Sequence, residues 1–390
     1  MAGVALTIGT RRCPIILPPT PTPWLRVPVD TGESMFVEFD NFYNIVDKRL
    51  VKLDRMNAYS IDCNILCVGS SRGSLAFVCQ SGRVYFGYPL AGGGMKGEIY
   101  GDQEFDDNQY WIDKSNHGLH SLTRFYTKIG DLETVLCYPR YHPQNPTPEN
   151  YHDFYVQWSC SYPGKWTRYP NLFHKDDPPI VYCEKTKTVY KLSCNCNGPW
   201  VVELWDMSDE RINVTSRINV AFDSSYEIET RERELRARCH QDRYLVLTGE
   251  YGGGRGDSVL YLVVRHHNRE LGVSQTRAMD VFRFDLVRGK MSYTTELDDH
   301  AFFIGQGSDS FAVPVEKCGP GGLKPNSVYI ADDLRVFGLK NRSITPILDT
   351  GDMSMTRFQS LWIPPPTPKQ IEESKKWIKH MEGGDEESPI

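Results

Sequence analysis

The apolar and polar positions of this chain alternate in short blocks: runs rich in Val, Ile, Phe and Tyr, each closed by Gly, Asn, Asp or Pro. The densest series lies between Met279 and Thr350. It holds Asp280 to Leu286, a turn at Arg288 and Gly289, Met291 to Leu297, then HAFFIG from His300 to Gly305. After a polar break at Gln306 to Asp309 follow Ser310 to Val315, Ser327 to Asp333, Leu334 to Leu339 and Ser343 to Leu348. Upstream, similar runs cover Ile65 to Val68, Leu75 to Cys79, Val84 to Leu90, Leu122 to Lys128, Glu133 to Tyr138 and Tyr151 to Cys160. The series goes on at Ile180 to Glu184, Thr188 to Ser193, Val201 to Met207, Tyr244 to Thr248 and Ser258 to Arg265. Blocks this short, joined by short breaks, predict successive antiparallel strands. No helical pattern stands out before KQIEESKKWIKHM, which predicts a short C-terminal helix with Glu372 placed four before Lys376.

So many strands without helices to cover a parallel sheet point to an all-β fold. A β-propeller fits best: four strands per blade, at about 40 to 50 residues a blade, gives about six to eight antiparallel blades. A pair of stacked β domains is the alternative. The expected boundaries are a Pro-rich flexible segment over 1–23, the propeller over 24–366, and the short helix with an acidic tail over 367–390.

Composition narrows the class. With 40% hydrophobic residues in 390, a sizeable core is available. A net charge of -6 disfavours general nucleic-acid binding. No apolar run approaches the roughly 20 residues that span a bilayer, so no membrane role is expected. Eleven scattered cysteines without a secretory signal suggest reduced thiols, and hence cytoplasm or nucleus. Arg11, Arg12 and Arg26, with no acid before Asp30, leave an organelle transit segment as the other location, although the prolines there oppose an amphipathic helix.

The candidate chemistry reads as structure, motif by motif. Gly92, Gly94 and Gly97 match G-x-G-x-x-G, but EIYGDQEFDD does not open the helix a pyrophosphate needs, so a glycine loop between blades is expected. Asp102, Glu104, Asp106 and Asp107 lack the loop glycine of a calcium site. Cys63 with Cys67, and Cys194 with Cys196, have no second half for zinc. His117 and His120 lack the glutamate of H-E-x-x-H, and strand alternation would send His266 and His267 to opposite faces. Ser71, central in Gly69-Ser70-Ser71-Arg72-Gly73, resembles a nucleophile elbow, yet the turn leads into a strand and not a helix. Arg231, Arg233, Arg236, Arg238 and Arg243 are interleaved with Glu232, Glu234 and Asp242, as in a solvated connection between strands. Arg255-Gly256-Asp257 reads as a turn, and the sequons at Asn213 and Asn341 carry no function outside the secretory route. No cofactor and no metal follow from these residues, and no catalytic residue is assigned.

Several motifs, taken in order, resemble a family. AFFIG (Ala301 to Gly305), SFAV (Ser310 to Val313), GLKPNSVYIADD (Gly322 to Asp333) and SLWIPPP (Ser360 to Pro366) look like the closing part of the plant F-box-associated, KIB-type β-propellers, also known as domain of unknown function 295. PWLRVP (Pro23 to Pro28), VGSSRGSLAFV (Val68 to Val78) and YPLAG (Tyr88 to Gly92) resemble its opening, and SVLYLVVRH (Ser258 to His266) with VFRFDL (Val281 to Leu286) its middle. The resemblance implies a non-enzymatic module that binds a protein, or a substrate-recognition subunit docked through an F-box on Skp1 of a cullin ubiquitin ligase. Only the Pro-rich Met1 to Pro23 precedes the propeller-like start, which leaves no room for the F-box helices. An enzyme with a site at the propeller channel is the reading from a different class. The motif positions Gly69, Gly73, Phe303, Gly305, Phe311, Pro325, Asn326, Tyr329, Asp332, Asp333 and Trp362 are expected to serve packing and turns.

Overall fold

The structure is a computed structural model. It describes residues 22–29, 39–54, 65–71, 73–79, 84–88, 93–100, 122–129, 132–139, 153–158, 165–170, 179–194, 200–206, 213–223, 230–251, 258–270, 273–318, 322–348, 360–365 and 372. The expectations for the Pro-rich start, Gly92, Asp102 to Asp107, Cys63, Cys196, His117, His120, Arg255 to Asp257 and the C-terminal segment other than Glu372 lie outside them.

Strand follows strand in groups of mostly four. The chain enters with β1 (Trp24–Val29), β2 (Phe39–Asn44) and β3 (Arg49–Asp54). A meander follows of β4 (Ile65–Ser71), β5 (Ser74–Cys79), β6 (Val84–Tyr88) and β7 (Gly93–Tyr100). The next holds β8 (Leu122–Ile129), β9 (Leu132–Pro139), β10 (Asp153–Trp158) and β11 (Lys165–Pro170). Then come β12 (Ile180–Cys183), β13 (Thr188–Cys194), β14 (Trp200–Asp206) and β15 (Asn213–Phe222). A helix, α1 (Thr230–Ala237), leads to β16 (His240–Leu247), β17 (Leu260–Glu270), β18 (Val273–Asp285) and β19 (Lys290–Tyr293). The last group is β20 (His300–Ile304), β21 (Phe311–Pro314), β22 (Ser327–Ile330), β23 (Arg335–Gly338) and β24 (Ile344–Pro346). Finally β25 (Leu361–Ile363) pairs antiparallel with β1, so the first and last described strands share one sheet.

The molecule is an all-β propeller, and the described residues form six blades. Two of these join into one eight-stranded sheet, because the end of β15 runs parallel to β19 at Ala221 and Phe222. Edge strands of neighbouring blades lie side by side: β25 by β4, β4 by β8, β12 by β16, and β16 by β21. These strands surround a common axis.

Alternation explains why the runs are apolar throughout. In β16, Tyr244 and Val246 enter the core shared with the β20–β24 blade, while Leu245 and Leu247 enter the core shared with the β12–β15 blade. In β20, Phe302 and Ile304 face back toward β16–β19, and Ala301 and Phe303 face forward toward β1 and β25. A strand covered on both faces loses the polar half of its period-two pattern.

Three details depart from expectation. The pairing is not uniformly antiparallel: β20 and β22 are parallel, because β21 lies on the other side of β20. Gly94 and Gly97 belong to strand β7 and not to a loop, with register breaks against β6 that suit side-chain-free positions. The arginine-rich stretch contains α1, a helix with no apolar stripe; Leu235 is 42% exposed, while Arg236 is buried. Its Glu232 to Arg236 pair, at 2.8 Å and four residues apart, supplies what the sequence reading took for a solvated connection.

Candidate functional site

Among the described residues, the largest concentration of buried charge lies where the β16–β19 blade meets β20–β24, built around Arg265. Register sets Arg265 on β17 directly opposite Asp242 on β16. Its side chain is fully buried, so every guanidinium N–H needs a partner. Nε donates to Thr276 Oγ1 at 2.9 Å, Nη1 to Asp332 Oδ2 at 2.7 Å, and Nη2 to Ser274 Oγ at 3.0 Å. Asp242 Oδ2 and Asp333 Oδ2 each stand 3.4 Å away. Both aspartates of the 331–334 turn are tied further: Asp332 Oδ1 accepts the Gln306 N–H, and Asp333 Oδ2 accepts the Thr276 N–H at 2.7 Å. Burial pushes the Asp332 carboxyl up from its ordinary range, opposed by Arg265 and the Gln306 N–H. Burial would lower the Arg265 pKa, but Asp332, Tyr244, Asp333 and Asp242 override it, so Arg265 stays charged.

A second layer extends this cluster to α1. Asp280 accepts from buried Arg236 at 2.9 Å and meets His266 Nε2 at 2.9 Å. Glu232 holds both Arg236 and Arg342, which links the helix to the turn after β23. The bulge at this point inserts Arg277 on β18 and leaves β17 regular, so the two rings lie on opposite faces as alternation requires and meet different carboxylates: Asp280 for His266, Asp242 for His267. Among the described residues no three His, Cys, Asp or Glu side chains converge as metal ligands.

One triplet bears on catalysis. Ser274 Oγ lies 2.8 Å from His267 Nδ1, and His267 Nε2 lies 2.9 Å from Asp242 Oδ2, the order of nucleophile, base and orienting acid, but Nε2 lacks hydrogen-bond geometry to that carboxylate. The sequence reading tested only Ser71, because Ser274, His267 and Asp242 come from three different strands with no local signature. In this triplet the serine oxygen already accepts from the Arg265 guanidinium, and His267 is fully buried. Ser274 thus links Arg265 to His267 inside the blade.

The motif positions fall into two groups. Phe303, Phe311, Tyr329 and Trp362 form one aromatic block: Phe303 stacks on Phe311 at 5.0 Å and on Tyr329 at 4.9 Å, with Trp362 edge-on at 5.0 Å. Trp362 Nε1 donates to the Ile304 carbonyl at 3.0 Å, joining the closing strand to β20. The rest govern backbone. Gly69 sits at a register shift in β4, and Gly73 takes φ 79° in the turn that follows. A Cβ at Gly305 would lie 2.8 Å from the Ala331 Cβ. Asn326 takes φ 52° and accepts the Leu297 N–H at 2.6 Å, while the carbonyl of exposed Pro325 accepts from Ser327 Oγ at 3.2 Å. Asp332 and Asp333 hold Arg265 as described.

Near the axis, β12, β16 and β21 border a small crevice, with room for the centre of a water-sized sphere over about 20 Å³. Tyr182, Glu250, Tyr251, Asp309 and Phe311 are among its lining residues.

Against known families, residues 152–355 match the KIB1-4 beta-propeller family. The chain belongs to that family. A search of curated proteins finds no match. Among solved structures, a complex of KlAtg21 with the coiled coil of AgAtg16 aligns at 9% identity and TM-score 0.33, over 70% of this chain and 80% of that one. A putative 6-phosphogluconolactonase from Bacteroides uniformis aligns at 10% identity and TM-score 0.34, over 88% of this chain and all of that one. Scores this low carry nothing about activity or partners.

Proposed function

We propose that this KIB-type propeller is a non-enzymatic module that binds a protein. The observation that carries the reading is the fate of the ionisable groups around Arg265. The charged side chains brought together there hold strand to strand and helix to blade. Turn tips, by contrast, reach solvent: Val287, in the turn between β18 and β19, is 97% exposed. Loops carried on a rigid scaffold are the usual contact surface.

Cross-linking of the full chain in cells, mass spectrometry of what is captured, and reconstitution with the purified candidate test the reading. A saturable complex with one protein is the expected result. Direct binding of Skp1 with a cullin would move the assignment to a ubiquitin-ligase receptor. Absence of a saturable protein complex, together with turnover of a small substrate, would overturn it.

A further inference from the structure

The crevice at the axis has the size and lining for one particular group. We propose that it takes the ε-ammonium of a lysine presented by the bound protein; this rests on the binding reading above. The space is narrow, and an ammonium is a compact point charge on a flexible stem that can enter it. Two acidic residues, Glu250 and Asp309, line it beside the aromatic side chains Tyr182, Tyr251 and Phe311. Carboxylates and ring faces both attract a cation.

The acidic positions are held in place. Glu250 Oε2 accepts the Glu184 N–H at 3.1 Å, and the Asp309 N–H donates to the Ser70 carbonyl at 3.0 Å. The negative field of Glu250 is felt nearby: after burial and Cys183, it helps raise the Tyr190 hydroxyl pKa. Tyr251 and Phe311 meet edge to face at 5.3 Å and form a firm wall. Ile180, Val181, Glu250, Asp309 and Ser310 are only half-buried, so a side chain arriving from solvent can reach the space.

The test uses the full chain and three peptide pools with random flanks, fixed at the centre as Lys, Arg or norleucine, read by fluorescence anisotropy. The lysine pool should bind roughly tenfold more tightly than the norleucine pool, the scale of a charge-assisted hydrogen bond. Glu250→Gln with Asp309→Asn should abolish that preference at an unchanged melting temperature, since a glutamine oxygen can still accept from Glu184. Equal binding of the lysine and norleucine pools, a stronger arginine pool, or a preference that survives both substitutions would overturn the assignment. So would displacement of the lysine pool by ammonium chloride but not by sodium chloride, which would mark the crevice as a site for free cations. If the cross-linked protein binds the double variant as tightly as the wild type, the crevice assignment fails and the module reading stands. If no protein is captured, the module reading fails first.

Discussion

At the scale of single residues, Arg265 decides how the largest charged cluster is understood. A guanidinium with no solvent exposure, among Asp242, Asp332 and Asp333, stabilises the seam only while all of them are present. Arg265→Met should therefore cost about 3 to 5 kcal/mol in urea unfolding, because it strands buried carboxylates. A loss below about 1 kcal/mol, the range of exposed pairs, would contradict a closed clasp. Gly305 gives a steric counterpart. Gly305→Ala should destabilise by about 1 to 3 kcal/mol, and Ala331→Gly in the same chain should recover most of that, since the clash is with the Ala331 Cβ. Additive losses in the double variant would place the strain elsewhere. The sequence singled out Gly305 through family resemblance, while Arg265 only fell within the resembling run Ser258 to His266, and neither partner was legible. Arg265 and Asp332 lie 67 residues apart and meet only once two blades pack.

Among the elements, legibility followed burial. The β16, β17 and β20 runs were plain in sequence because both faces are covered, which leaves no polar break. Strand β15 was not, since Val214 to Arg217 are exposed and Val220 is the buried position toward its end. Helix α1 escaped for a related reason: its anchor is Arg236 on Asp280, and a search for apolar periodicity has nothing to find there. Between β13 and β14, Lys191 stands directly opposite Glu203, with Nζ 3.3 Å from the carboxylate. Burial lowers the Lys191 pKa, against the pull of Glu203. The folded chain thus releases this proton at lower pH than the unfolded chain, whose lysine keeps the ordinary value of 10.5. In the window between the two, the unfolded state binds more protons, so stability contributed here rises with pH. Wild type minus Lys191→Met, followed by urea melts toward about pH 10.5, should grow with pH; a flat or falling difference would contradict the assignment.

For the whole molecule, the fold depends on ring closure. Pairing of β25 with β1, the Trp362 indole on the Ile304 carbonyl, and the contact of Ser70 Oγ with the Trp362 carbonyl tie three blades together. Trp362→Ala should lower the melting temperature and speed amide exchange in β1 and β25 more than in β13 and β14; uniform acceleration would mean that closure is not a separate event. A propeller of about six to eight blades was foreseeable from the spacing of apolar runs, but the six blades of the described residues were not, nor was the charged seam, because it joins β16, β17, β18, α1 and the turn after β22 in space alone. The central claim is that this seam is structural and that the protein acts by binding. The most direct measurement is a calorimetric titration of the full chain with its cross-linked protein, alongside a fluorophosphonate probe of Ser274. The account predicts saturable binding with Ser274 unlabelled. Covalent labelling of Ser274 that Asp242→Asn abolishes, with no saturable protein complex, would contradict it.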